Sequence, residues 1–440
     1  MNRPGAHPPP GGEAVGAATL AEDAEDLRYL PPPARPAIDL HPSRTGPRTV
    51  ASVLLRRSLH SATRTRLEAR LSAQSGRPRC VLTRSGRSAL VLALSSLGAV
   101  HGREVVLSTL NCPAVADAVL AAGATPVLVD TDERDGPHYG SVDVRGRVVV
   151  LTNVLGLDEH SHHAWSIAER GGIPVLDLAQ ALPSAAVLAR YRASGWPLVL
   201  SFGEGKALGA LGGGALLDSG TGPGRDTGPW SQGYGPVGAR SRGATALGRG
   251  LGQWCLSRSP APVRAGAVGR QRRSPGWSLT RADHLPLAPG PVPRGAPDPW
   301  ETAATATLLE RADVWATGAA EVRRRVSEAL GPALLTCRVV PSEPGLSGGI
   351  DLLFRAPGLR YPFARTLARH GVPSTWNPYP LHRTRPYARY ANGPLPSADL
   401  LWRRVLTVPA LPQPRLDAPL LTSALLAADR ETAHRGGRDG

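Results

Sequence analysis

Between Cys80 and Ser201 the chain alternates short apolar runs with stretches of helical period. "CVLT" at 80–83, "EVVLS" at 104–108, "PVLVD" at 126–130, "RVVVLTN" at 147–153, "IPVLD" at 173–177 and "PLVLS" at 197–201 read as buried strands. The stretch from Ser88 to Leu97, closed by Gly98, reads as a helix. So does Ala114 to Ala122, with Asn111 and Pro113 as start signals and Gly123 as the stop; "HAWSIAERGG" supplies a third. Buried strands interleaved with helices predict a mostly parallel sheet covered on both faces. In such sheets ligands bind beyond the carboxyl ends of the strands.

The flanks follow other patterns. Residues 1–46, with "HPPPGG" and "LPPPARP", have the composition of a disordered tail. Leu55 and Leu59, then Leu67 and Leu71, fall at i, i+4 and predict a packed helix ending before Gly76 and Pro78. A large domain is expected over 47–217, then an irregular Gly/Pro/Arg-rich segment over 218–298. Helices are expected at Thr302–Ala316 and Glu321–Leu330. Strands at 350–355 and 405–409 and helices at 361–369 and 417–428 complete a smaller C-terminal α/β domain over 299–430, with 431–440 as a tail.

Composition changes this picture only at the margins. At 440 residues and 41% hydrophobic, the chain can bury a sizeable site. Its formal charge of +16 invites a nucleic-acid reading, but the arginines are dispersed. Their densest cluster, "GRQRRSPGWS" at 269–278, lacks interleaved aromatic stacking modules. Cys80, Cys112, Cys255 and Cys337 are too scattered for a zinc site or a disulfide framework, so no metal is expected. Without an apolar leader or an apolar run of membrane-spanning length, a soluble cytoplasmic protein is expected.

One residue type carries the chemistry. Of 51 Lys plus Arg residues, Lys206 is the only lysine, and it sits in "SFGEGKALGALGGGALL" just after a strand. A guanidinium stays protonated, whereas an amine can lose its proton and attack a carbonyl, so arginine cannot replace a Schiff-base lysine. "TRSGRSAL" places Ser85, Gly86, Arg87 and Ser88 between a strand and a helix, where unpaired N–H groups can cradle a phosphate. Asp177 ends an apolar strand, where a carboxylate must be solvated or paired, or else cap a helix. A phosphate cradle, a strand-end aspartate and a later lysine make the set that holds pyridoxal 5'-phosphate. The histidines of "DEHSHHAW" (His160, His162 and His163) lack matching carboxylate or cysteine ligands.

In "SGRSAL", "EVVLSTLNCPAVADAVLAAGATPVLVD", "VVVLTNVLG", "AERGGIPVLDLAQAL" and "SFGEGKALGALGGGALL", and more weakly in "HGVPSTWNPYPLH", the chain resembles the DegT/DnrJ/EryC1/StrS family of sugar aminotransferase-like enzymes. The resemblance implies the aspartate aminotransferase-like α/β fold (fold type I). It makes Lys206 the cofactor-binding lysine, Asp177 the partner of the pyridine nitrogen and Gln180 a neighbour of the phenolic oxygen. Gly86, Arg87, Ser88 and Ser201 become phosphate contacts, and His382 is brought near the site. Arg87 stands where the family usually has Thr, and Cys112 where it has an aromatic residue that stacks on the ring. The family's asparagine-containing segment that reaches a neighbouring subunit has no counterpart in the sequence. The implied activity is transfer of an amino group from an amino acid donor to a carbonyl acceptor, often a nucleotide-linked keto sugar, by a homodimer. Lys206 argues against the family's dehydratase branch, where histidine typically replaces it. Elimination or decarboxylation on the same cofactor, and a basic nucleic-acid-binding protein on the same fold, remain the alternatives.

Overall fold

A computed structural model describes residues 33, 43–132, 136–153, 159–220, 240–259, 288–331, 334–375, 379–411, 413 and 415–436. Seven valine- and leucine-rich strands form the central sheet: β1 (Arg79–Thr83), β2 (Glu104–Ser108), β3 (Thr125–Val129), β6 (Val148–Thr152), β7 (Ile173–Asp177), β8 (Leu198–Ser201) and β9 (Gly214–Asp218). The order across it is β1-β9-β8-β7-β6-β2-β3, and every pairing is parallel except the two made by β9. Two short strands, β4 (Thr131–Asp132) and β5 (Gly136–Pro137), pair separately. The expected mostly parallel α/β sheet is therefore present. The sequence reading missed β9, because its "GALLD" opens on the last of three consecutive glycines, 212–214, that read as loop.

Helices cover both faces: α1 (Pro47–Ser58), α2 (His60–Ser75), α3 (Gly86–Ser96), α4 (Pro113–Ala121), α5 (Glu159–Glu169), α6 (Ala185–Arg190), α7 (Arg240–Arg258), α8 (Pro299–Leu309) and α9 (Ala312–Leu330). Local chemistry sets their ends. The Ser85 hydroxyl accepts from the Ser88 N–H at the start of α3, and Pro113 opens α4. Gly123, at φ 85°, turns the chain into β3. α3 and α4 lie against one face of the sheet in one apolar cluster, while α2, α5, α6 and α8 share a second cluster on the other.

The N-terminal helix expected from the leucine spacing is two helices, broken at Leu59. Leu67 and Leu71 are buried, but Leu55 and Leu59 are exposed, so that half of the predicted packing face is corrected. α7 lies within the stretch read as irregular. Its glycines disguise it, yet they serve close packing: a Cβ on Gly243 would lie 2.6 Å from Trp300, and one on Gly250 2.7 Å from Thr45. The "GRQRRSPGWS" cluster lies outside the described residues. The helices expected at 302–316 and 321–330 are displaced. The first starts at Pro299 on a capping box between Asp298 and Glu301, and the second already runs from Ala312.

A second sheet, β10-β11-β12, is wholly antiparallel: β10 (Cys337–Val339), β11 (Gly349–Phe354) and β12 (Val405–Pro409). It packs with α9, α10 (Arg360–Arg369) and α12 (Ala418–Gly436) around Phe354, Phe363 and Leu425; α11 (Pro396–Trp402) leads into β12. The last helix continues to Gly436, beyond the 428 expected. No helix among the described residues is long and apolar enough to cross a membrane.

Candidate active site

Polar residues end the parallel strands on one edge of the sheet: Ser108 on β2, Thr152 on β6, Asp177 on β7 and Ser201 on β8. Beyond that edge, between the two sheets, lies a cavity of about 480 Å³. Lys206 lines it, on the turn between β8 and β9, where its own N–H donates to the Gly203 carbonyl at 3.0 Å. Asp177 lines it as well, 4% exposed. Burial, the largest influence, lifts its carboxyl above the usual range. The Ala179 N–H at 2.9 Å, the Lys206 charge and the Thr152 hydroxyl pull it back. A buried carboxylate at the end of an apolar strand is thus met by two donors and the chain's one amine.

The phosphate-binding expectation divides. Ser85, Gly86, Arg87 and Ser201 line the cavity; Ser88 does not. The Ser88 hydroxyl donates to the Pro293 carbonyl and its N–H donates to Ser85 Oγ at 3.2 Å, so it braces the loop from behind. The Arg87 guanidinium is also engaged, 2.9 Å from the Pro291 carbonyl and 3.6 Å from Asp117 Oδ2. What the helix start offers is the backbone N–H of Gly86 and Arg87 beside the hydroxyl of Ser201. Gly86 is required here, since a Cβ would lie 2.8 Å from Ser201 Cβ.

Gln180 and Cys112 complete the expected wall. Cys112 precedes α4 and presents a half-buried thiol where an aromatic ring was expected to be replaced. His382 is absent from the cavity wall. Its Nδ1 pairs with Thr109 Oγ1 at 2.8 Å and its Nε2 lies 3.1 Å from Asp399, so it ties the chain after 380 to the end of β2. Of the histidine cluster, only the His163 side chain lies within the described residues, and it packs edge-on against Tyr139.

Six cavity-lining residues escaped the sequence reading as site residues. Asn153, 3% exposed, lines the cavity, and both carboxamide atoms lack a hydrogen-bond partner among the described residues. Asn111 and Thr152 join Asp177 in a buried network. The second sheet adds Thr407 and Asp351, whose carboxyl accepts from the Thr407 hydroxyl, and Thr375 bridges to Thr407 beside them. Strand period locates such positions but cannot say which strand ends face one another across two sheets.

Pyridoxal phosphate fits this wall. A cradle that a single Cβ would fill can take the phosphate, Asp177 can face a ring nitrogen, and an orphaned carboxamide awaits a polar ligand atom. Lys206 stands within the same cavity as an amine able to condense with an aldehyde.

Residues 52–219 match the model of the DegT/DnrJ/EryC1/StrS aminotransferase family. It is similar to UDP-N-acetyl-3-dehydro-alpha-D-glucosamine 3-aminotransferase of Acidithiobacillus ferrooxidans, 32% identical over 34% of this chain and 42% of that protein. A second relative is L-glutamine:2-deoxy-scyllo-inosose aminotransferase of Streptoalloteichus tenebrarius, 31% identical over 34% of this chain and 37% of that protein. The matches thus span less than half the length of either relative. The fold extends further: a putative sugar aminotransferase of Streptococcus pneumoniae, solved in its PLP form, superposes with a TM-score of 0.60 at 16% identity, covering 92% of this chain and all of that one (100%).

Proposed function

We propose that this protein is a pyridoxal-phosphate-dependent aminotransferase that moves an amino group from an amino acid to the carbonyl of a keto sugar or a related polyhydroxy ketone. The observation that carries the reading is the position of the only lysine, Lys206, in one cavity with the buried strand-end carboxylate of Asp177. The family match and the relatives named for keto-sugar and inosose amination support the substrate class. Pyridoxal phosphate would supply an aldehyde to take up the amino group and a cationic ring to accept electrons from the substrate carbon.

The chain's own residues do the rest. The Gly86 and Arg87 N–H groups and the Ser201 hydroxyl bind the phosphate, fixing one end of the cofactor. Asp177 holds a proton on the ring nitrogen. The Lys206 amine, on the wall of the same cavity, would move a proton at the α-carbon of the amino donor. Gln180 and Cys112 line the same cavity and would flank the bound ring. Thr407 and Asp351 of the second sheet close the cavity with the adjoining Thr375, hydroxyls and a carboxyl suited to a polyhydroxy acceptor. We assign a large domain over 47–217 and a smaller one over 299–430, in a cytoplasmic homodimer.

Single-turnover incubation of the cofactor-loaded protein with glutamate or glutamine tests the reading. Stoichiometric release of the matching 2-oxo acid is expected. A loaded protein that releases no 2-oxo acid with any amino donor contradicts it and favours elimination or decarboxylation.

A further inference from the structure

The carboxamide of Asn111 is oriented by its two partners. The Cys112 N–H donates to Oδ1 at 2.8 Å, so the other arm is the NH2 group, and Nδ2 donates to Thr152 Oγ1 at 3.2 Å. A hydroxyl that accepts from an amide keeps its own hydrogen to give elsewhere. Thr152 stands directly opposite Asp177 in the β6–β7 register, and its hydroxyl bonds the Asp177 carboxyl. The Ala179 N–H takes Asp177 Oδ1 from another direction, at 2.9 Å. Asn111 is 0%, Thr152 3% and Asp177 4% exposed, so in this buried network the loss of a donor is costly.

We propose that Asn111 is a positioning residue: by donating to Thr152 it commits the threonine hydroxyl to donate to Asp177, which keeps that carboxyl aimed at the cofactor's ring nitrogen. The inference rests on the functional reading above and deepens it. The rival role for Asn111 is local, to hold the Cys112 N–H at the start of α4. The two roles separate chemically. Asn111→Asp keeps size and the acceptor for Cys112 but turns the donor toward Thr152 into an acceptor. The threonine hydroxyl then has a competing carboxylate, and Asp177 loses a donor. Thr152→Val removes the hydroxyl at nearly constant shape, and Thr152→Ser retains it.

The readout is the ratio of dissociation constants for pyridoxal phosphate and its 1-deaza analogue, which carries C–H in place of the ring nitrogen, measured by quenching of tryptophan fluorescence in the cofactor-free protein. Partial misfolding weakens both compounds alike and leaves the ratio unchanged. The wild-type chain is expected to prefer pyridoxal phosphate. Asn111→Asp and Thr152→Val should each cut the preference about tenfold or more, as loss of a hydrogen bond to a buried charge does. The double variant should match Thr152→Val alone, because both changes break one chain of donors. Thr152→Ser should keep the wild-type ratio. Single variants that retain the preference, or losses that add in the double variant, overturn the relay while leaving the cofactor assignment intact. A wild-type chain that binds neither compound overturns both. If Asn111→Asp does not fold, Thr152→Val against Thr152→Ser decides.

Discussion

Gly86 and Ser201 approach so closely that a Cβ on residue 86 would lie 2.8 Å from Ser201 Cβ and 3.1 Å from its Oγ. The start of α3 and the end of β8 are thereby pressed together where N–H groups and a hydroxyl can converge on one anion. Overpacking there must displace one of the two. Gly86→Val is expected to weaken pyridoxal phosphate binding by about tenfold or more. Binding of pyridoxal, which lacks the phosphate, should be nearly unchanged. Equal losses for both compounds, in a fluorescence titration, would place the phosphate elsewhere.

Asn153 presents a different tension between stability and binding. A buried carboxamide with no partner among the described residues costs stability in the empty protein unless a ligand or water in the cavity meets it. Asn153→Leu should therefore stabilise the cofactor-free chain by about 1–2 kcal/mol. The same change should raise KM for the carbonyl acceptor or weaken cofactor binding. Chemical denaturation of the empty variant beside steady-state kinetics checks both halves, and a destabilised variant contradicts the expectation.

Asp177 carries a pH signature. Burial, the dominant influence, raises its carboxyl, so the folded chain holds that proton more tightly than the unfolded chain. The stability this group contributes is full below the unfolded value, near 3.9. It is lost as pH rises through the higher folded value. Asp177→Asn removes the dependence. In cofactor-free protein, the stability of wild type minus that of the variant should fall as pH rises from about 4 toward neutrality. A difference that grows over that interval contradicts the assignment.

These residues differ in how far the sequence alone exposed them. Asp177 stood out because it ends an apolar run, where a carboxylate must be solvated, paired or cap a helix, whereas Ser201 was picked out only by the resemblance to the family. Lys206 was legible by chemistry, as the only amine-bearing side chain in an arginine-rich chain. Ser88 looked equivalent to Ser85, but the Pro293 carbonyl captures its hydroxyl across 205 residues of sequence, which no local pattern reveals. His382 likewise sits close in sequence to a matching motif, yet Thr109 and Asp399 hold it away from the cavity wall. Asn111 read only as a helix start signal, because its second arm reaches Thr152 on a different strand. The parallel strands emerged from period and turn signals. Helix α7 did not, because glycines chosen for contact with Trp300 and Thr45 erase its helical composition.

The most direct measurement concerns Lys206. The protein is loaded with pyridoxal phosphate, reduced with borohydride, digested and mapped by mass spectrometry, with Lys206→Ala treated in parallel. A phosphopyridoxyl group on the peptide containing "SFGEGK", absent from the variant, is the result predicted. Failure to retain the cofactor, or an adduct elsewhere in a chain with no other lysine, would contradict the assignment of this cavity as the site of amino transfer.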